Sequence, residues 1–374
     1  MLRIFLTGDN HIGLRYAGHE EAARLAGARI DAFAGMVNAA NENGCELFVV
    51  AGDLFERLRG IAKRDVKAVV DTLSHFNGTV AVLPGNHDYY SPDAKLWQDF
   101  SDCAQTADNI MLLKEYRPYR VSAGDNDVVL YPALCTSMHS APGENNLGWI
   151  KEAEIDPSVF NIGIAHGAVE GETIDSEGLY FLMSPTELEA IPVDVWLIGH
   201  THVPFPPLTD SFTEAGRIFN AGTHVQTDVN CNCAGQCFII ELSDDKSVRV
   251  RQVETGALRF YRKSLVLSPE TMEDTLRREL SALGDNSVVD LRLSGSVTTD
   301  EYDARHELLE ELLGRFIEGT YSDTELSRLI SEEIIDVEFA ETSFAAGFLK
   351  DLLDEPKEAQ LAYELLKSLG EGKK

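Results

Sequence analysis

Nine side chains able to hold a metal ion or move a proton fall in five short clusters of the sequence. They are Asp9 and His11, Asp53, then Asn86, His87 and Asp88, then His166, and finally His200 and His202. Their settings are Gly8-Asp9-Asn10-His11, Gly52-Asp53, Gly85-Asn86-His87-Asp88, Ala165-His166-Gly167 and Gly199-His200-Thr201-His202. Carboxylate, imidazole and carboxamide donors in this mixture suit Mn²⁺, Zn²⁺ or Fe²⁺, whereas Ca²⁺ takes oxygen alone. The donors are too many for one ion, and two ions sharing a bridging carboxylate would use them. Singly, each residue has a duller reading: Gly-Asp pairs favour turns, and a lone histidine can be a satisfied core residue. Together and in this order they point to one site.

The elements that must position these residues follow from hydropathy. Residues 2–7, 46–51 and 79–83 are short apolar runs that end at the first three clusters. Residues 20–41 and 64–76 read as helices, the first with Leu25, Ile30, Phe33, Met36 and Val37 at helix-like spacing. Further strands are expected at 127–132, 159–165, 195–198, 217–220 and 236–242, and two of these end at the histidine clusters. Strand–helix alternation predicts a layered α/β domain, and ligands of such sheets gather outside the carboxyl ends of the strands. Around Gly256 the rhythm changes. A strand at 259–267, a helix at 269–283, a strand at 288–293 and a helix at 300–318 read as a small α+β domain. From residue 324 the chain reads as mainly helical, with Pro356 separating two helices.

Of 374 residues, 44% are hydrophobic and 25% charged, a globular composition. No apolar run reaches the roughly 18 residues of a membrane helix, so no membrane association is expected. The first apolar run meets Gly8-Asp9 too soon for a secretory leader, and the six cysteines show no disulfide framework, so the expected location is cytoplasmic. Cys45, Cys103 and Cys135 read as buried thiols. Cys231, Cys233 and Cys237 form C-x-C-x3-C, which could hold a soft metal or a redox pair, though a fourth cysteine is lacking nearby. With 32 basic and 62 acidic residues the formal charge is -30. Such a chain should not coat itself with nucleic acid or anionic lipid, although bound cations or a basic patch can reverse the field at one place.

In their order, the five clusters resemble the calcineurin-like metallophosphoesterases, whose pattern is D-x-H, G-D, G-N-H-D/E, a lone H and G-H-x-H. Within that superfamily Gly52-Asp53-Leu54-Phe55, the early helix and the α+β domain after the core look most like the SbcD-type DNA repair nucleases. The resemblance implies a layered β-sandwich metallophosphoesterase core flanked by helices at 1–256, an α+β capping and DNA-binding domain at 257–323, and a helical C-terminal region at 324–374. It implies that Asp9, His11, Asp53 and His202 hold one divalent ion and that Asp53, Asn86, His166 and His200 hold another, with Asp53 bridging. Mn²⁺ is the expected metal, with Zn²⁺, Fe²⁺ and Mg²⁺ as alternatives. His87 would stabilise the phosphate or protonate the leaving alkoxide, and Asp88 would fix its tautomer. Arg57 and Arg59, together with Arg15, Lys63 and Arg64, are expected to meet phosphates, and His224 to line the cleft. The partners implied are DNA, an SbcC-type coiled-coil ATPase docking on residues 344–369, and a second copy of the chain in a homodimer. The activity implied is a Mn²⁺-dependent DNA nuclease, endonucleolytic and 3′-to-5′ exonucleolytic. The alternatives are a phosphoesterase for a non-DNA phosphoester, which the net charge favours mildly, and a non-catalytic scaffold, which the complete set of clusters argues against.

Overall fold

Apolar β-branched and aromatic residues dominate the strands before residue 260, and their period-two alternation sets the layers. The computed structural model describes residues 1–371 other than 173, 174, 176 and 232. It divides into two units, Met1–Phe260 and Tyr261–Lys374.

The first unit holds two sheets. One runs in the order β4 (Ile110–Leu112), β3 (Thr79–Leu83), β2 (Leu47–Ala51), β1 (Leu2–Thr7), β11 (Gln236–Leu242), β12 (Val248–Glu254) and β9 (Thr213–Glu214). The other runs β10 (Ile218–Asn220), β8 (Val195–Gly199), β7 (Phe160–His166), β6 (Asn126–Ala133) and β5 (Tyr119–Ala123). β1, β2 and β3 are parallel, and so are β6, β7 and β8. Leu2, Ile4 and Leu6 of β1 share one buried core with Leu130, Ile162, Ile164 and Leu197 of the opposite sheet. The outward residues Phe5, Phe48, Val50 and Val82 pack under α1 (Ala22–Glu42), α2 (Lys63–Ser74) and α3 (Lys95–Ala104) through Phe33, Met36, Val69 and Trp97. On the far side, Val129, Tyr131 and Trp196 lie against Ile150 of α4 (Gly148–Lys151) and Leu188 of α5 (Pro185–Ala190). The layers are helix, sheet, sheet and helix, the helix-flanked β-sandwich that the sequence predicts. Burial on both faces explains why β2 (LFVVA) and β8 (VWLIG) are apolar throughout.

In the second unit β13 (Arg259–Leu267), β14 (Ser287–Val297) and β15 (Glu318–Arg328) form a sheet in that order, with β14 and β15 parallel. α6 (Met272–Ser281) and α7 (Thr299–Leu313) pack on it through Leu276, Leu280, Leu309 and Leu313. A capping box starts α7: Thr298 accepts from the Glu301 N–H, and Glu301 accepts from the Thr298 N–H. The helix expected to reach residue 318 stops at Leu313, and residues 324–328, expected to be helical, continue β15. Parallel pairing with β14 wins over the weak strand propensity of EGTYSDTELSR, so a boundary at 323 would cut a strand. α8 (Glu332–Glu338), α9 (Phe344–Asp351) and α10 (Pro356–Glu371) close on Ile335, Ala346, Leu349, Ala359 and Tyr363. Phe344, Leu361, Leu365 and Leu369 stay exposed. No helix among the described residues is long and apolar enough to cross a membrane.

Ile164 is fully buried between the two sheets. Ile164→Ala is expected to cost about 2–5 kcal/mol of stability. The change should appear in urea denaturation as a lower midpoint at unchanged slope.

Candidate metal centre

The loops after β1 and β2 zip together. Asp9 N–H donates to the Gly52 carbonyl at 3.1 Å, His11 N–H to the Asp53 carbonyl at 2.9 Å, and Ile12 N–H to the Leu54 carbonyl at 2.9 Å. Asp9, His11, Asp53, His200 and His202 all take left-handed backbone, with φ of 50°, 45°, 50°, 118° and 55°. Each such residue costs on the order of 1–3 kcal/mol and persists only where its surroundings over-determine it. Two neighbouring glycines are steric requirements. A Cβ on Gly52 would lie 2.1 Å from His166 Nδ1, and one on Gly85 would lie 2.2 Å from Asp53 Oδ1.

The two sheets meet here. His166 Nδ1, from the end of β7, donates to the Ala51 carbonyl at the end of β2 at 2.9 Å. His166 Nε2 lies 3.3 Å from Asp53 Oδ2 and 3.0 Å from Asn86 Oδ1. Asn86 Oδ1 is also 3.1 Å from His200 Nδ1, and the Asn86 amide nitrogen donates to the Met138 carbonyl, which aims the oxygen inward. Both oxygens of Asp9 accept from the His200 N–H, at 3.0 and 2.9 Å. His11 Nε2 faces His202 Nε2 at 2.8 Å. Donor atoms of Asp9, His11 and His202 lie within 4.8 Å of one another, as do those of Asp9, Asp53 and His166, and those of His11, Asp53 and His87. All seven residues that the family likeness assigns as ligands are thus brought to one place. Two imidazole nitrogens face to face, beside two carboxylates in a dry site, fit divalent cations of the nitrogen- and oxygen-binding kind.

Electrostatics support that fit at His200 and His202, whereas Asp53 favours the protonated form of His166. Burial opposes ionisation of Asp53, but His166, His11 and His87 hold its carboxyl below the usual carboxylate range. Burial likewise disfavours a charged His166, yet Asp53 raises it to about 9. Burial and the adjacent His166 lower His200 to about 4, and burial lowers His202. Neutral imidazoles are the form that binds metal.

His87 sits differently from the expectation. Its Nδ1 donates to the Glu56 carbonyl at 3.0 Å, so that carbonyl, and not Asp88, fixes the tautomer. The Asp88 carboxylate is buried and accepts instead from the Gly85 N–H at 2.7 Å and the Phe55 N–H at 2.9 Å. Asp88 therefore shapes the loops that carry Asp53 and Asn86, and burial together with Asp53 raises it to about 7. His224 is corrected as well. It is fully buried, with its ring nitrogens 3.3 Å from the Asn10 amide and 3.2 Å from the Arg29 carbonyl, and cannot touch a substrate. Arg59 is exposed and Arg57 half-buried, Arg57 donating to the Gly13 carbonyl at 3.2 Å. Lys63 and Arg64 turn onto Asp99 and Asp65 instead. Cys237 is buried with Sγ 3.1 Å from Met36 Sδ, its thiol pushed by burial to about 12. Among the described residues no cysteine joins a cluster of metal donors.

Two neighbours of the site escape sequence reasoning. Tyr180 lays its ring 5.0 Å from that of His200. Glu56 places Oε2 3.0 Å from His11 Nδ1 while its carbonyl holds His87. The available signal was its position three residues after Asp53, on the zipped loop.

Residues 2–204 match the family described as calcineurin-like phosphoesterase, and the chain belongs to that family. It is a metal-dependent phosphoesterase, a hydrolase. Similar solved structures include the following three. TT1561 of Thermus thermophilus is 11% identical with a TM-score of 0.43, over 68% of this chain and 99% of that one. A dimetal phosphatase from Danio rerio is 14% identical with a TM-score of 0.38, over 67% and 98%. The purple acid phosphatase PPD1 from yellow lupin (Lupinus luteus) seeds is 13% identical with a TM-score of 0.37, over 68% and 51%. No curated protein matches the chain in sequence.

A carboxylate on the far nitrogen of a metal-binding histidine orients the ring and raises its basicity, and losing it costs about 10–100-fold in metal affinity. Glu56→Ala is accordingly expected to weaken one of two Mn²⁺ ions in a calorimetric titration. Glu56→Gln, which keeps an acceptor oxygen, should lose less.

Proposed function

We propose that the chain is a Mn²⁺-dependent DNA nuclease, resembling the SbcD-type enzymes, and that it works with a coiled-coil ATPase. The observation that carries the reading is a set of unclaimed arginines beside the metal centre. Most arginines of this acidic chain end on carboxylates, as Arg3 does on Glu241, Arg262 on Asp290 and Arg305 on Asp323. Arg15, Arg57 and Arg59, on the loops that follow His11 and Asp53, have no carboxylate partner among the described residues. Arg57 has its buried Nε unpartnered. Cations without a carboxylate partner on the loops of a phosphoesterase centre, in a chain of charge -30, suit a polyanionic substrate whose flanking phosphates need neutralising. The exposed apolar residues Leu361 and Leu365 of α10, one turn apart, with Phe344 on α9, suit docking on an apolar helical partner such as the ATPase coiled coil.

Chemistry divides between the ions and the chain. Bound divalent ions polarise a phosphoryl oxygen and lower the pKa of water. Asp9, His11, Asp53, Asn86, His166, His200 and His202 would hold them. His87, its Nδ1 committed to the Glu56 carbonyl, presents Nε2 for the phosphate or for protonation of the leaving oxygen. Arg57 and Arg59 bind the phosphates beside the one that is cut.

The test is cleavage of end-labelled linear duplex DNA in Mn²⁺, alongside turnover of bis-p-nitrophenyl phosphate. The wild type is expected to act on both substrates and His87→Ala on neither. The double variant Arg57→Glu, Arg59→Glu should lose DNA cleavage by at least about tenfold and make DNA binding less salt-dependent, by about two phosphate contacts, with the small diester spared. Turnover of the small diester with intact DNA, in the presence and absence of the ATPase, would overturn the nuclease reading in favour of a non-DNA phosphoester.

A further inference from the structure

α1 buries an arginine where its apolar pattern calls for a hydrophobe. Leu25, Arg29 and Phe33 occupy successive turns of one buried face, and Arg29 is 1% exposed. No carboxylate of the described residues pairs with it. Its fork donates instead from Nε to the Asn10 carbonyl at 2.6 Å, from Nη1 to the Tyr16 hydroxyl at 3.3 Å and from Nη2 to the Thr223 hydroxyl at 3.5 Å. A desolvated cation without a directly paired carboxylate is costly, so its retention calls for a reason beyond packing.

The place it grips supplies one. Asn10 lies between Asp9 and His11, both in left-handed backbone at φ of 50° and 45°. Thr223 lies on the preceding carbonyl: its hydroxyl is 3.0 Å from both Asp9 O and Val225 O, which share its one proton, and its oxygen can accept from Arg29. The Asn10 carbonyl is therefore held by the guanidinium, and the Asp9 carbonyl faces the Thr223 hydroxyl that the same guanidinium contacts. An ammonium has no planar fork and could not reach all three acceptors at once. Burial chiefly, with the Arg29 charge adding to it, also keeps the nearby His202 and His224 low in pKa.

We propose that Arg29 is a positioning residue of the metal centre, clamping the strained Asp9–His11 segment so that Asp9 and His11 present their donors to the ion they share with His202. The inference rests on Asp9, His11 and His202 being metal ligands, and the experiment separates the two claims. Full-length wild type, Arg29→Met, Arg29→Lys and Thr223→Val are titrated with Mn²⁺ by calorimetry, with folding checked by circular dichroism. The wild type should bind two ions. Arg29→Met should weaken one by at least about tenfold and leave the other in place, as loss of an outer partner does at metal sites. Arg29→Lys should recover part of that loss, because it keeps the charge and one donor to the Asn10 carbonyl. Thr223→Val should weaken the same ion. At saturating Mn²⁺, Arg29→Met should lower kcat on bis-p-nitrophenyl phosphate and leave KM unchanged. A folded Arg29→Met that binds both ions like the wild type overturns the proposal. If Arg29→Met fails to fold, wild-type binding by Thr223→Val does the same. A wild type that binds no ion overturns the ligand assignment itself, and the proposal with it.

Discussion

Two imidazole nitrogens 2.8 Å apart can share a proton or a cation and little else. That approach of His11 to His202, repeated in softer form where His166 and His200 both face Asn86 Oδ1, is the constraint around which the first unit is organised. Lone pairs and carboxylates repel when crowded and dry, so the chain must force them together. It does so with rigid parallel strands that end at one place, and with loops too short to relax. The zipper between the loops after β1 and β2 fixes Asp9 and Asp53 to each other before any cation arrives. The absence of side chains at Gly52 and Gly85 leaves just enough room for His166 and Asp53.

The energetic consequence is large. Five residues in left-handed backbone, at roughly 1–3 kcal/mol each, rival the whole net stability of an ordinary domain, about 5–15 kcal/mol. The double core of the sandwich offsets that strain, and cations that bind only the folded state relieve part of it. This explains why so many of the centre's surroundings hold backbone groups in place. Asp88 directs its carboxylate to the Gly85 and Phe55 amides, and Thr223 directs its hydroxyl to the Asp9 carbonyl. Neither touches the donors directly, yet each narrows the conformations in which the donors can point inward.

What could be read from the sequence follows from this division. The convergence of the donor residues was legible because each follows a strand whose apolar run is unmistakable, and because the chemistry of Asp, Asn and His in that order has few other uses. The layers were legible for the same reason, since both faces of β2 and β8 are buried. Asp88 and His224 were misread because their neighbours in sequence do not reveal which way a side chain turns at the end of a loop. Glu56 carries its function partly in a carbonyl, which every residue has. Arg29 left a trace, a cation on the apolar face of α1, but Ile30 beside it supplied a plausible hydrophobe and is only half-buried in the fold. β15 was invisible because its sequence is polar and its strand character comes from pairing with β14.

Reaction and substrate are encoded at different depths. The reaction is set by groups within hydrogen-bonding distance of one another, where a change of one atom matters, so residue type is tightly constrained. The substrate is set by groups at the rim, where water competes and many residues would serve. In a chain of net charge -30, however, a cation left without a carboxylate is itself a constrained choice, because acidic side chains are available almost everywhere to claim it. Three arginines without a carboxylate partner on the loops next to His11 and Asp53 are therefore more informative than they would be on a neutral protein. Their charge would add to that of bound ions and favour phosphates at one place on an otherwise acidic chain. On the nuclease reading proposed above, a polyanion would be steered to that place, and the acidity that disfavours general binding to nucleic acid would leave it as the point of approach.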